Sequence, residues 1–145
     1  MNDPKHIIVH TLAFTGDAGV DEVRRWHKER GFADVGYHYI IRRDGTLETG
    51  RREHRPGAHC RDMGMNSKSI GVGLEGHGDM EQWTADQWRT FRTLYRFMER
   101  KYHIPPHEVL GHRETGAPKT CPGKKIDMDQ VRRSLEMAIT TNLTV

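Results

Sequence analysis

At 145 residues the chain is long enough to bury a real core and too short for two domains. Charged residues make up 30% and hydrophobic ones 34%; the apolar residues fall in periodic clusters, which excludes a disordered chain. The formal charge of +3 suits an anionic partner such as cell wall or nucleic acid and selects neither.

No apolar run approaches the roughly 20 residues of a membrane span, so membrane insertion is not expected. The start, Met1 to His6, has no apolar core of the signal-peptide kind, and the expectation is a protein made in the cytosol. Two cysteines, Cys60 and Cys121, cannot build a disulfide framework; one bridge is open to them, and two free thiols in a reducing compartment are the commoner expectation. There are no repeats, low-complexity tracts or linkers, so residues 1–145 read as one domain.

The first element is a short, β-branched strand from His6 to Thr11, with His10 near its C-terminal end. Val20, Val23, Trp26 and His27 recur at helical spacing, and Gly31 is a natural stop. A hairpin follows: Tyr37 to Arg42, an Asp44-Gly45 turn, then Thr46 to Thr49. Alternation in its first arm places Tyr37, Tyr39 and Ile41 on one face and His38, Ile40 and Arg42 on the other. Gly50 to Lys68 is polar and without period, a long loop of the functional or mobile kind.

Ser69 to Glu75 alternates Ile70, Val72 and Leu74 with small or polar residues, as a central strand does. Thr84 and Gln87 form a capping box opening a helix to about Tyr102, with Trp88, Phe91, Tyr95 and Met98 as its buried stripe. Pro105 and Pro106 end that stretch. Val109-Leu110 leads into Gly111-His112, and a turn-rich loop reaches Cys121-Pro122. The last helix begins near Asp127, with Met128, Val131, Leu135 and Ala138 inward. Strands alternating with helices predict a mixed α/β domain, a central sheet flanked by helices.

His10, His112 and Cys121 stand at strand ends and in a loop. Two imidazoles and a thiolate are good zinc donors, and three protein ligands leave a fourth position for water. Taken singly, each reads more readily as a packing residue than as a ligand, and the spacing matches no compact zinc motif. The trio is one set among several; His59-Cys60 competes with it.

The run Asp34-Val35-Gly36-Tyr37-His38-Tyr39-Ile40-Ile41-Arg42-Arg43-Asp44-Gly45-Thr46 resembles the signature of the type 2 N-acetylmuramoyl-L-alanine amidases, whose fold is shared by the peptidoglycan recognition proteins. Ile8-Val9-His10, Trp26-His27, Gly57-Ala58-His59, Asn66 to Val72, Gly111-His112-Arg113 and Pro118 to Pro122 agree in order, so the resemblance covers about residues 6–135. It is strongest to the small phage lysozymes that are amidases.

The resemblance implies zinc held by His10, His112 and Cys121, catalytic roles for Tyr37 and Lys119, and a substrate-facing His59. The implied substrate is peptidoglycan, cut between N-acetylmuramic acid and L-alanine by a phage or prophage endolysin. Such an enzyme waits in the host cytoplasm and reaches the periplasm or cell wall at lysis. A monomer is expected. Some phage relatives also bind and restrain a phage RNA polymerase, a secondary partner for which the segment before His10 is short. Direct nucleic-acid binding is not expected, because the basic residues are dispersed with no aromatic platform.

Alternatives from other classes are a module that binds peptidoglycan without cutting it, and a zinc peptidase acting inside the stem peptide. Asn66 is expected to shape its loop by bonding backbone. His27 and His38 read as packing or surface residues; His77, His103 and His107 read as solvated. No role is assigned to Cys60.

Overall fold

The computed structural model describes the backbone of residues 1–144 and the side chains through residue 137. Five strands, β1 (His6–Thr11), β2 (Tyr39–Ile41), β3 (Leu47–Thr49), β4 (Ser69–Leu74) and β5 (Val109–Gly111), form one mixed sheet in the order β3-β2-β4-β1-β5. The β2–β3 hairpin is antiparallel and every other pairing is parallel. Parallel neighbours require crossovers, and these are made by α1 (Val20–Glu29) and α2 (Ala85–Tyr102), with α3 (Met128–Thr144) closing the chain.

Period-two alternation sorts β1 and β4 between two layers. Ile7, Val9, Ile70, Val72 and Leu74 face Phe91, Leu94, Tyr95 and Met98 of α2 and Val131 and Leu135 of α3, forming the main core. On the opposite face Ile8 packs with Cys60, Met65 and Leu110, and Ile40 with Val23 and Val35. His10 follows Ile8 on that second face, and Ser69, Gly71 and Gly73 of β4 lie beside it, with His10 in register with Gly73. The site is therefore built on the sheet face not covered by α2 and α3.

α2 starts where its capping box predicts: the Gln87 N–H donates to Thr84 Oγ1 at 3.0 Å and the Thr84 N–H to Gln87 Oε1 at 3.0 Å. Its buried stripe includes Leu94 and Gln87 besides Phe91, Tyr95 and Met98, while Trp88 is half-buried at the core's edge. Met128, Val131 and Leu135 of α3 point inward as expected; the Ala138 side chain lies outside the described residues. Among the described residues no helix is long and apolar enough to cross a membrane.

The first hairpin arm is shorter than the alternation predicts. β2 begins at Tyr39, not Tyr37, because the Gly71 N–H is taken by His38 Nδ1 at 3.0 Å in place of a backbone carbonyl, which ends the regular ladder. Tyr37 consequently leaves the face of Tyr39 and Ile41 and packs with Ile40, Leu12, Val20 and Trp26. The long loop is not featureless either: a 3-10 segment, Asp62–Ser67, kinks at Met63 and Gly64, both at positive φ, and leads into β4.

Candidate metal centre and cleft

The parallel pairing of β1 with β5 brings the ends of two strands side by side, so that His10 and the residue after Gly111 meet. The His10 and His112 ring centroids are 4.7 Å apart. Cys121 comes from the loop that follows, and its Sγ lies 3.6 Å from His10 Nδ1. One donor atom from each of His10, His112 and Cys121 lies within 4.8 Å of the others. A tetrahedral zinc with its usual bonds to nitrogen and sulfur holds those two atoms about 3.6 Å apart, so the spacing fits the ion.

The Cys121 loop is held from three sides. Thr11 Oγ1 donates to the Pro122 carbonyl at 2.8 Å, and the Arg113 N–H donates to the Cys121 carbonyl at 2.7 Å. Asp79 accepts from the Lys124 N–H at 2.8 Å and from Thr120 Oγ1 at 3.1 Å. Gly78 and Gly123 allow this approach: a Cβ on Gly78 would stand 1.8 Å from the Pro122 carbonyl oxygen. Thr11, Ala13, His77, Asp79, Lys119 and Cys121 help line a groove of about 150 Å³ at this point.

The electrostatics suit a cation. Burial, with the charges of neighbouring histidines and Lys119, holds the His10 pKa well below its ordinary 6.5. Burial and Lys119 lower His112 as well, opposed by Asp62. Both rings are therefore neutral at pH 7 and keep a lone pair. Burial pushes the Cys121 thiol up to about 11, against the pull of the Thr11 backbone, Lys119 and Arg113. The free thiol keeps its proton at neutral pH, and a metal ion bound beside it would remove it. His112 Nε2 is buried without a hydrogen-bond partner among the described residues; an Asp62 carboxylate oxygen stands 3.5 Å away.

Tyr37 lies against His10, with ring centroids 5.1 Å apart. Burial first, and the Cys121 sulfur second, raise its pKa above the usual phenol value, so it remains an O–H donor. Lys119 is exposed at the groove, its charge felt by His10, His112 and Cys121. His59 is half-buried, and both its ring nitrogens are engaged inside the protein, with His10 Nε2 at 2.9 Å and Ser69 Oγ at 3.2 Å.

Other histidines depart from their sequence reading. His77, expected to be solvated, is half-buried and borders the groove; nothing in the residues around it announces this. His27 and His38 do pack inside, with defined work: His27 Nδ1 accepts from the Gly36 N–H at 2.8 Å, and His38 bridges Gly71 N–H to the Arg55 carbonyl. His103 and His107 are exposed as expected. Asn66 does shape its loop, its Oδ1 accepting from the His59 and Cys60 N–H groups at 2.8 Å each.

The competing donor set takes a changed form. Cys60, Asp62 and His112 also lie within 4.8 Å of one another. Cys60 is buried and its sulfur is engaged with Thr115 Oγ1 at 3.5 Å and the Asp62 carbonyl at 3.7 Å. Cys60 belongs to the apolar cluster of Ile8 and Met65, whereas Cys121 borders an open groove.

A sheet with helices on both faces and a His-His-Cys cluster beside an open groove defines the class, and sequence comparison agrees with it. The family model for N-acetylmuramoyl-L-alanine amidase matches residues 1–124. An endolysin of Klebsiella phage KP32 is 42% identical over 127 residues, covering 83% of this chain and 81% of the relative. Among solved structures, the N-acetylmuramoyl-L-alanine amidase LysC from Clostridium intestinale URNW superposes with a TM-score of 0.86 at 28% identity, covering 93% of this chain and 87% of that one. The Drosophila recognition protein PGRP-LB gives 0.74 at 28% identity, covering 86% and 78%. The chain belongs to the N-acetylmuramoyl-L-alanine amidase family.

Proposed function

We propose that this chain is a zinc-dependent phage-type endolysin that hydrolyses the amide bond between N-acetylmuramic acid and L-alanine in peptidoglycan. The observation that carries the reading is the approach of His10 Nδ1 to Cys121 Sγ at 3.6 Å, with His112 completing the set, at the edge of a groove that also holds Lys119. The relatives support the choice of bond, since they include phage endolysins and N-acetylmuramoyl-L-alanine amidases.

His10, His112 and Cys121 would hold the zinc. When bound, zinc supplies Lewis-acid chemistry, acidifying water and polarising a carbonyl. The protein's own groups do the rest. The Lys119 ammonium, at the groove, stabilises the negative charge that gathers on the carbonyl oxygen during attack. Tyr37, kept protonated beside His10, has an O–H to orient water or to pass a proton toward the leaving nitrogen. Thr11, Asp79 and Arg113 fix the loop that carries both Lys119 and Cys121.

Peptidoglycan incubated with the purified protein should yield new L-alanine amino termini, identified by mass spectrometry of the released peptides. Fragments cut inside the stem peptide would replace this reading with that of a peptidase. Tight muropeptide binding without turnover would make the chain a recognition module.

A further inference from the structure

The two nitrogens of a neutral imidazole are not equivalent: one bears the proton and the other the lone pair, and only the second binds a metal. Which is which in His10 can be traced from the far end of a hydrogen-bond chain. The Met65 carbonyl oxygen can only accept, so Ser69 Oγ must donate to it, at 2.7 Å. The single Ser69 proton is then used, and at its 3.2 Å contact with His59 Nε2 the Ser69 oxygen accepts. A neutral His59 with its proton on Nε2 has its lone pair on Nδ1, and this atom meets His10 Nε2 at 2.9 Å. His10 must therefore carry its proton on Nε2, leaving the Nδ1 lone pair aimed at the side where Cys121 Sγ stands 3.6 Å away.

The sequence builds the room for this chain. Ser69, Gly71 and Gly73 alternate along one face of β4, and the His59 ring lies over Gly71, where a Cβ would stand 2.4 Å from its Cδ2. The His10 and His59 rings meet edge to face at 90°. Asn66 holds the backbone at His59 in place through the His59 N–H.

We propose that His59 is a positioning residue: through Ser69 and the Met65 carbonyl it sets the tautomer of His10 that offers Nδ1 to zinc. The proposal rests on the reading of His10 as a zinc ligand and gives His59 a task other than touching substrate. Outer partners of metal-bound histidines commonly govern metal affinity by about 10–100-fold.

The test uses two measurements. In metal-free, 15N-labelled protein, long-range proton–nitrogen correlation spectra report the His10 tautomer; the expected form is Nε2–H. Zinc affinity is then measured by chelator competition for wild type, Ser69→Ala, His59→Phe and His59→Asn. Ser69→Ala and His59→Phe should weaken zinc binding by about tenfold or more. His59→Asn, whose amide oxygen can stand where Nδ1 stood, should recover most of the loss. Ser69→Ala removes only one oxygen from a central strand and so serves if the larger change at His59 prevents folding.

A wild-type His10 protonated at Nδ1 overturns the proposal. So does wild-type affinity in both Ser69→Ala and His59→Phe while wild type itself binds zinc, and that outcome leaves the ligand reading intact. A wild-type protein that binds no zinc overturns the ligand reading and the proposal with it.

Discussion

Gly71→Ala is the sharpest small perturbation of the site. A Cβ at Gly71 would lie 2.4 to 2.6 Å from three atoms of the His59 ring, well inside ordinary contact, and that ring is held at both nitrogens. Gly71 sits in a fully buried strand, in register with Ile8 of β1 on one side and bonded to the His38 N–H and ring on the other, so the backbone cannot easily retreat. Overpacking of this kind costs about 1–3 kcal/mol. Losing glycine's freedom in the unfolded chain returns about 0.4–1 kcal/mol. The net expectation is a loss of about 1–2 kcal/mol, or roughly 3–8 °C in Tm for a chain of this size.

Gly73→Ala is the built-in comparison. Its Cβ would meet Leu12 Cδ2 and the Tyr37 ring at 3.1–3.2 Å, a tight but yielding contact, and it should cost less than half as much. Urea unfolding of the metal-free proteins measures both. Equal stabilities for Gly71→Ala and wild type would refute the claim that the His59 ring is seated on this strand.

Glu75→Ala should destabilise the fold by about 3 kcal/mol, because the buried carboxylate accepts from the Ala18 N–H at 2.6 Å and the Arg43 N–H at 2.7 Å, both of which would lose their acceptor; a shift below about 1 kcal/mol in urea unfolding would contradict this. Burial holds the His27 pKa near 4, assisted by Arg30 and Arg51. The unfolded chain therefore takes up this proton first, and His27's contribution to stability is lost as pH falls from 6.5 toward 4. His27→Asn, which keeps an acceptor for the Gly36 N–H, should flatten that acid limb, and an unchanged stability–pH curve would remove His27 from it. Asp79→Ala should leave the fold largely intact while loosening the loop of Lys119 and Cys121, lowering kcat/KM for peptidoglycan about tenfold or more; wild-type kcat/KM would show that Asp79 does not hold the site.

The sequence made the sheet legible because β1 is short and β-branched and β4 alternates apolar with small residues, and it made α2 legible because Thr84 and Gln87 mark its start. Position alone leaves His10, His112 and Cys121 as one donor set among several, the resemblance to the amidase family selects them, and the fold brings these three together. What lies between them was not legible. The link from His59 to Ser69 depends on strand register and on a loop folding back over Gly71, which looked from sequence like small-residue filler in a strand. The Glu75 network was hidden because its partners, Ala18 and Arg43, come from separate loops. Tyr37 misled the alternation because a side chain, His38, replaces a ladder partner at Gly71.

The most direct test is the zinc content of wild type, Cys121→Ser and Cys60→Ser, measured by elemental analysis after identical purification. Cys121 at an open groove and Cys60 in the apolar cluster are the two thiols of the chain, and each has its own trio with His112. One zinc per chain in wild type and in Cys60→Ser, with none in Cys121→Ser, is the predicted result. Zinc retained by Cys121→Ser and lost from Cys60→Ser would contradict it.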